Sequence, residues 1–256
     1  MIILSIIALF LASIIFGLLG PVVIWKKTTY FGDGLAHSLI LGVVLSLIFE
    51  HNFLIFSSIL FSLAIIAFSN VNRNSLIGMM SQAFVSIALI LKSSFDIDFD
   101  LESTLFGDLL LIDIGDINYL CIILVILGIW MKYSYKNILL SSLNPEMSNA
   151  YIKYSKKYEY SFLLILSLVI ASSVKIFGVL MVTSMLLIPA INAKIISINP
   201  KSMILSAIIL SWIMNIVGFW IAYQVNLPVS PSIICCGLVM FLLFQLNFTI
   251  KKNKKL

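Results

Sequence analysis

Long apolar runs separated by short polar stretches dominate the chain. A helix needs about 17–25 apolar residues to cross the hydrocarbon layer of a bilayer, and the pattern predicts nine candidate spans. They cover approximately residues 2–25, 35–50, 53–69, 75–92, 117–132, 160–173, 176–197, 202–223 and 231–249. The second and sixth runs are short, so eight spans and broken helices remain open. Unbroken apolar runs exclude the alternating pattern of a barrel. We predict an all-α integral membrane protein with a single domain over residues 1–256.

Composition also indicates a membrane protein, because 61% of the 256 residues are hydrophobic and only 11% are charged. Soluble domains average about 45–50% and about 25%, respectively. The net charge of +5 comes from basic residues between the apolar runs, not from a basic patch with interleaved aromatics. No nucleic-acid partner is therefore expected. The first run lacks a basic flank and a cleavage site, which predicts a retained span instead of a signal peptide.

The positions of the basic residues predict the orientation of the chain in the bilayer. With the N-terminus outside and an odd number of spans, Lys92 and Lys175 are external and the other basic residues are cytoplasmic. This asymmetry is what the positive-inside rule requires. We therefore expect a cytoplasmic C-terminus.

Two connections are too long to be simple turns. Residues 93–116 are acidic and are predicted to be external or re-entrant. Residues 133–159 are basic and cytoplasmic, and the sequence NPE at 144–146 opens a short amphipathic stretch there. That stretch is either an interfacial helix or a docking helix for a soluble partner, and the pattern does not separate the two.

Enzymatic motifs such as H-E-x-x-H, G-x-S-x-G and the P-loop are missing from the sequence. Without a P-loop, ATP-driven work requires a second subunit. The clearest candidate chemistry is in FGDGLAH, where Asp33 precedes His37 by four residues. On a helix both side chains would share one face, and carboxylate and imidazole are ligands for divalent metals. The other interpretation is that Asp33 caps the helix and His37 hydrogen-bonds a neighbour.

The seventh span contains Pro189, which is expected to kink or interrupt that helix, with Asn192 just beyond it. Kinked helices with polar neighbours often line a path through the membrane, although many only pack. Asn192 is therefore a candidate for lining such a path.

Four ordered stretches resemble the bacterial zinc and manganese ABC permeases of the ZnuB type. FGDGLAHSLILGV is similar to the family's FGD-x-L-x-H-x-x-L-x-G, and LFGDLL at 105–110 is similar to its central LFGDLL. SSLNPEMSNAYIKYSK lies where the family has its ATPase-docking loop, and GVLMVTSMLLIPAINAK resembles a further family helix. The similar stretches extend from about residue 20 to residue 200.

The resemblance implies a homodimeric pore in the bacterial inner membrane, two ATPase subunits below it and an extracytoplasmic metal-binding protein above it. It also implies that Asp33 and His37 are transient metal ligands along the ion path. Relatives often have histidine where this chain has Gln82, which is a far poorer ligand for zinc. The candidates for lining the path are Gln82, Asp108, Ser184 and Asn192. The candidates for docking the ATPase are Asn144, Pro145, Glu146, Met147 and Ala150.

The expected function is therefore that of the permease subunit of an ATP-driven importer of divalent metal ions. Zinc is the first candidate cargo, and manganese and iron are the others. No permanently bound cofactor is expected, and ATP would act only through the partner ATPase. The alternatives are a permease for a metal chelate such as haem or a siderophore, an intramembrane enzyme, and a structural membrane subunit.

Overall fold

A computed structural model describes residues 2–68, 72–96, 101–143 and 155–253, and these ranges contain helices and no strand. The first five helices are α1 (Ile2–Trp25), α2 (Thr29–Phe49), α3 (Leu54–Ala67), α4 (Arg73–Ser94) and the short α5 (Leu101–Phe106). A 3-10 turn (Leu109–Leu111) follows α5. The other five helices are α6 (Ile114–Leu143), α7 (Ser155–Phe177), α8 (Val179–Ile196), α9 (Pro200–Val225) and α10 (Val229–Asn253).

Eight helices in the described part of the chain are long and apolar enough to cross a membrane: α1, α2, α4 and α6 to α10. The remaining predicted span, 53–69, corresponds to α3, an apolar helix of only 14 residues. A helix of that length rises about 21 Å, which is less than the hydrocarbon thickness of about 30 Å. The predicted all-α membrane fold with eight to nine spans is confirmed.

Several predicted boundaries were wrong. The second span was expected at 35–50, but α2 already begins at Thr29. The fifth span was expected to end at residue 132, whereas α6 continues to Leu143, so the first part of the predicted loop 133–159 is helical. Its 30 residues correspond to about 45 Å, which is more than the bilayer core requires. The break expected at Ser173 to Lys175 lies instead at Gly178, between α7 and α8.

The chain forms two compact units that alternate along the sequence. The α1 unit consists of Met1–Lys27, Asp108–Gly128 and Leu180–Leu256, and the α2 unit consists of Thr28–Gly107 and Ile129–Val179. The single permease domain over residues 1–256 stays a prediction.

Within the α1 unit, α1 packs against α9 through small residues. A Cβ atom on Gly17 would lie 2.6 Å from Ile208 Cγ1, so only glycine permits this approach. A hydrogen bond of 2.8 Å from Asn215 Nδ2 to Ser13 Oγ joins the same two helices. Close approach of backbones at small residues is the usual way in which membrane helices gain packing energy.

Within the α2 unit, α2 packs against α3, α4 and α7. The aromatic ring of Phe61 on α3 lies 5.7 Å from that of Phe31 and 5.6 Å from that of Phe84, measured between centroids. Buried hydroxyl groups add a polar contact, because Ser62 on α3 is hydrogen-bonded to Ser167 on α7. Hydroxyl pairs between helices contribute about 0.6 kcal/mol on average in a membrane.

Candidate functional site

Asp33 and His37 lie one turn apart on α2, as their spacing predicted. His37 Nε2 is 3.8 Å from Asp33 Oδ1, and the two side chains are 44% and 63% exposed, respectively. This distance is too long for a hydrogen bond. A metal ion bonded to both atoms fits, because zinc bonds of about 2 Å each together exceed the separation. The pair therefore presents one nitrogen and one oxygen ligand on an accessible helix face.

The capping interpretation of Asp33 is wrong. Since α2 begins at Thr29 and its N-cap is Thr28, Asp33 lies in the second turn of the helix. Its carboxylate is therefore beyond the first-turn amide groups that a capping side chain accepts from. This location also places the pair away from the helix terminus, where the dipole would repel a cation most strongly.

The packing of α2 fixes the position of this pair. Gly34, the residue after Asp33, is buried against α4. A Cβ atom on Gly34 would lie 2.5 Å from Ile77 Cγ2, so any larger residue would require the Ile77 side chain or α4 to shift. The turn of α2 that carries both ligands is thus held by close contact of Gly34, on the neighbouring side of the helix, with α4.

Gln82 lies on the exposed side of α4. Its backbone carbonyl accepts a hydrogen bond of 2.8 Å from Ser86 Oγ. The buried side of α4 consists of apolar residues and Ser81, so the side chain of Gln82 is directed away from that core. The structure places Gln82 in the same unit as Asp33 and His37 but records no bond between them.

The other three path-lining candidates belong to the α1 unit. Asp108 is exposed at the start of the 3-10 turn, where its carbonyl accepts from Leu111 N at 3.2 Å. Ser184 is half-buried on α8. Asn192 is fully buried, and neither Nδ2 nor Oδ1 has a hydrogen-bond partner among the described residues. Pro189 lies inside α8 and does not interrupt it.

The buried amide of Asn192 is costly, because a buried polar group without a hydrogen-bond partner lowers the stability of the folded protein by about 1–3 kcal/mol. Such a group in a membrane protein is by default a candidate for function.

The five residues predicted to dock an ATPase lie in 144–154, outside the described residues. The helices that flank this segment are α6 and α7. Of the acidic segment 93–116, the structure describes residues 93–96 and 101–116, which include the end of α4, α5, the 3-10 turn and the start of α6. The turn contacts α1, because Ser5 Oγ donates to the carbonyl of Leu109 at 2.9 Å.

Sequence reasoning missed a close contact between two glycines of the α2 unit. Gly107 (φ +67°) and Gly178 (φ +76°) both have left-handed backbone conformations. A Cβ atom on Gly107 would collide with the backbone N of Gly178, and one on Gly178 would collide with the backbone N of Gly107. Both residues lie in stretches quoted for the family resemblance, LFGDLL and GVLMVTSM, and that coincidence was the available signal.

An ion pair between helices was also missed. Arg73 Nη2 lies 2.5 Å from Glu159 Oε1, which joins the start of α4 to the start of α7.

Within the described residues, no group of three or more His, Cys, Asp and Glu side chains could hold a metal ion. Asp33 and His37 therefore stand as a two-ligand pair.

Comparisons with known proteins agree with this architecture. The sequence profile of the ABC 3 transport family matches residues 1–247. The high-affinity zinc uptake system membrane protein ZnuB of Haemophilus influenzae is 31% identical over 238 residues, covering 90% of this chain and 91% of that protein. The manganese transport system membrane protein MntC of Listeria monocytogenes is 28% identical, covering 90% and 84%. The structure of PsaBC from Streptococcus pneumoniae in complex with Fab superposes with a TM-score of 0.83 at 23% identity, covering 94% and 89%.

Proposed function

Because the chain belongs to the ABC 3 transport family, we propose that it is the permease subunit of an ATP-driven importer of divalent metal ions, with zinc as the first candidate cargo. The observation that carries this proposal is the pairing of Asp33 with His37 on an accessible face of α2. Relatives named for zinc and for manganese uptake support a metal ion as the cargo.

The ligand types favour zinc among these metals. Imidazole nitrogen suits zinc, whereas manganese prefers carboxylate, carbonyl and water oxygens. The amide of Gln82 would bind zinc only weakly. The zinc ion would therefore be held by two protein ligands, Asp33 and His37, and by the water molecules that it retains. Weak, sparse ligation suits transport, because an ion that binds tightly does not leave.

The energy for transport would come from separate subunits. The sequence contains no P-loop, so ATP would be bound and hydrolysed by an ATPase that docks on the segment 144–154. We further propose that two copies of the chain form the pore in the bacterial inner membrane and that an extracytoplasmic binding protein delivers the metal. The excess of basic residues on one side favours an external N-terminus and a cytoplasmic C-terminus. This arrangement requires an odd number of spans, so it requires the short helix α3 to cross the membrane in addition to the eight long helices.

The test is accumulation of zinc, manganese and iron, offered in turn, by cells that produce this chain with its candidate ATPase and binding protein. We expect ATPase-dependent uptake of zinc. Uptake of manganese alone or of iron alone would support the importer and would show that this metal, not zinc, is the cargo. If the complex assembled but took up no free ion, the metal-ion proposal would be wrong and a chelate would be tested next.

Variants of the pair assign its role. Asp33→Asn combined with His37→Ala should abolish uptake while the protein remains in the membrane at its normal level. The matched control is His51→Ala, because the chain has two histidines and His51 is exposed beyond α2, where its Nδ1 contacts the carbonyl of Glu50. Normal accumulation in the double variant would remove both residues from the path.

A further inference from the structure

The ion pair between Arg73 and Glu159 lies at the N-terminal ends of two long helices of the α2 unit. Arg73 is the first residue of α4, and Glu159 is the fifth residue of α7. Nη2 and Oε1 are 2.5 Å apart, and the side chains are only 35% and 31% exposed. A charge-assisted hydrogen bond of this length between partly buried groups is stronger than an ordinary surface pair.

Arg73 does not serve its own helix. A cation at a helix N-terminus is opposed by the helix dipole, and the cap of α4 is already supplied by Asn72, whose side chain accepts from Asn74 N at 3.1 Å. Glu159 is the fifth residue of α7 and lies in its second turn, beyond the first-turn amide groups of that helix. The position of Arg73 is therefore explained by its partner on α7.

From Arg73, close packing continues to the candidate metal ligands. Ile77 follows Arg73 by one helical turn, so both lie on the same side of α4. A Cβ atom added to Gly34 would lie only 2.5 Å from Ile77 Cγ2, so Gly34 and Ile77 are in close contact. Gly34 is bonded directly to Asp33, so a displacement of the first turn of α4 acts on the turn of α2 that carries Asp33 and His37.

At its other end, the ion pair is attached to the beginning of α7. This helix starts at Ser155, immediately after the segment 144–154 that is proposed to dock the ATPase. Glu159 is thus on the first described element that follows the docking segment in the chain.

We propose that the Arg73–Glu159 pair is a positioning link for transport: it transmits movement of α7 to α4, and through Ile77 and Gly34 to Asp33 and His37. This inference rests on the proposed function as a permease. Neither residue binds the metal in this scheme. The link sets how often a cycle of ATP hydrolysis in the partner ATPase moves the turn of α2 that carries Asp33 and His37.

The experiment uses the complete complex with its ATPase and binding protein, reconstituted in lipid vesicles, and measures zinc uptake and ATP hydrolysis in parallel. Arg73→Glu and Glu159→Arg are expected to lower the zinc transported per ATP hydrolysed by about tenfold, within the usual range for coupling between sites. The combined variant with both substitutions restores the opposite charges and should recover most of that ratio. Lys157→Glu, which changes an exposed charge on the same turn of α7, is the matched control.

Glu159→Gln keeps the shape of the side chain and covers the case in which a reversed charge prevents assembly. It should insert normally and still lower the zinc-to-ATP ratio. The link would be refuted if Glu159→Gln left the ratio unchanged, or if the charge-swapped double variant assembled but stayed uncoupled. Absence of uptake by the unmodified complex would instead refute the proposed function, because the zinc-to-ATP ratio of each variant is compared with that of the unmodified complex.

Discussion

Between α7 and α8 the backbone of Gly178 turns with φ = +76° and touches the backbone of Gly107. Gly178→Ala adds a single methyl group at this point. An L-residue in the left-handed conformation costs about 1–2 kcal/mol. The new Cβ atom would also lie 2.5 Å from the carbonyl oxygen of Leu105. Backbone atoms cannot rotate away as a flexible side chain can, so relief requires α5 or α7 to shift.

Overpacking of this kind costs about 1–3 kcal/mol, so the whole substitution should lower the free energy of unfolding by about 2–5 kcal/mol. In a chain of this size, each kcal/mol corresponds to roughly 2–4 °C in melting temperature. We therefore expect the melting temperature of the purified protein in detergent to fall by about 4–20 °C. Fluorescence is a suitable signal, because Trp130 is stacked on Phe162 in the same unit, with 6.2 Å between ring centroids.

The matched control is Gly128→Ala, at a helical position where an added Cβ atom meets nothing within 4 Å. Alanine there should stabilise the protein by about 0.5–1 kcal/mol, because glycine is the poorer helix former. Gly107→Ala should resemble Gly178→Ala, and the double variant should cost less than the two single effects together, since one shift relieves both collisions. A Gly178→Ala protein that melts within about 1 °C of the unmodified one would refute the reasoning from backbone contact.

Two further substitutions test particular side chains. Asn192→Leu replaces an amide that lacks a hydrogen-bond partner in the described residues. It should therefore raise stability by about 1–3 kcal/mol and yet reduce metal uptake. The control, Asn215→Leu, should lower stability because it removes the hydrogen bond to Ser13. A parallel loss of stability and uptake in Asn192→Leu would argue for packing alone. Asp113→Ala removes a reciprocal cap at the start of α6, where Asp113 Oδ1 accepts from Asp116 N at 2.8 Å. It should cost about 1 kcal/mol in thermal unfolding, and Asp113→Asn, which keeps the acceptor, should cost less.

The helices were predictable because lipid imposes a simple rule: a buried backbone must satisfy its own hydrogen bonds, and an apolar run of sufficient length becomes a helix. The rule applies only where the chain is in lipid. It therefore missed the last turns of α6, which extend beyond the length that the bilayer requires. It also missed the first turn and a half of α2, since FGDG reads as a polar, glycine-rich turn. In the folded chain those glycines are buried in helix contacts.

The candidate site divides in the same way. The i, i+4 geometry of Asp33 and His37 followed from local sequence, because helical spacing alone brings the two side chains to one face. The contacts that hold the pair in place did not. Gly34 with Ile77, Gly107 with Gly178, and Arg73 with Glu159 join residues that are 43, 71 and 86 positions apart in the sequence. No local period encodes such partners, and a single sequence carries no record of paired changes that would identify them.

A site with two ligands depends on these distant contacts more than a closed metal centre does. Four ligands around a structural zinc ion fix their own geometry through the metal. Asp33 and His37 are exposed, and the metal would leave them in every cycle, so their position must come from the protein. The close contact of Gly34 with Ile77 supplies that position, and the ion pair at the other end of the same α4 turn allows it to change when α7 moves. Weak binding of the ion and precise control of its ligands are therefore compatible, because the ion binds at exposed side chains of α2 while the neighbouring Gly34, packed against α4, controls the position of that turn.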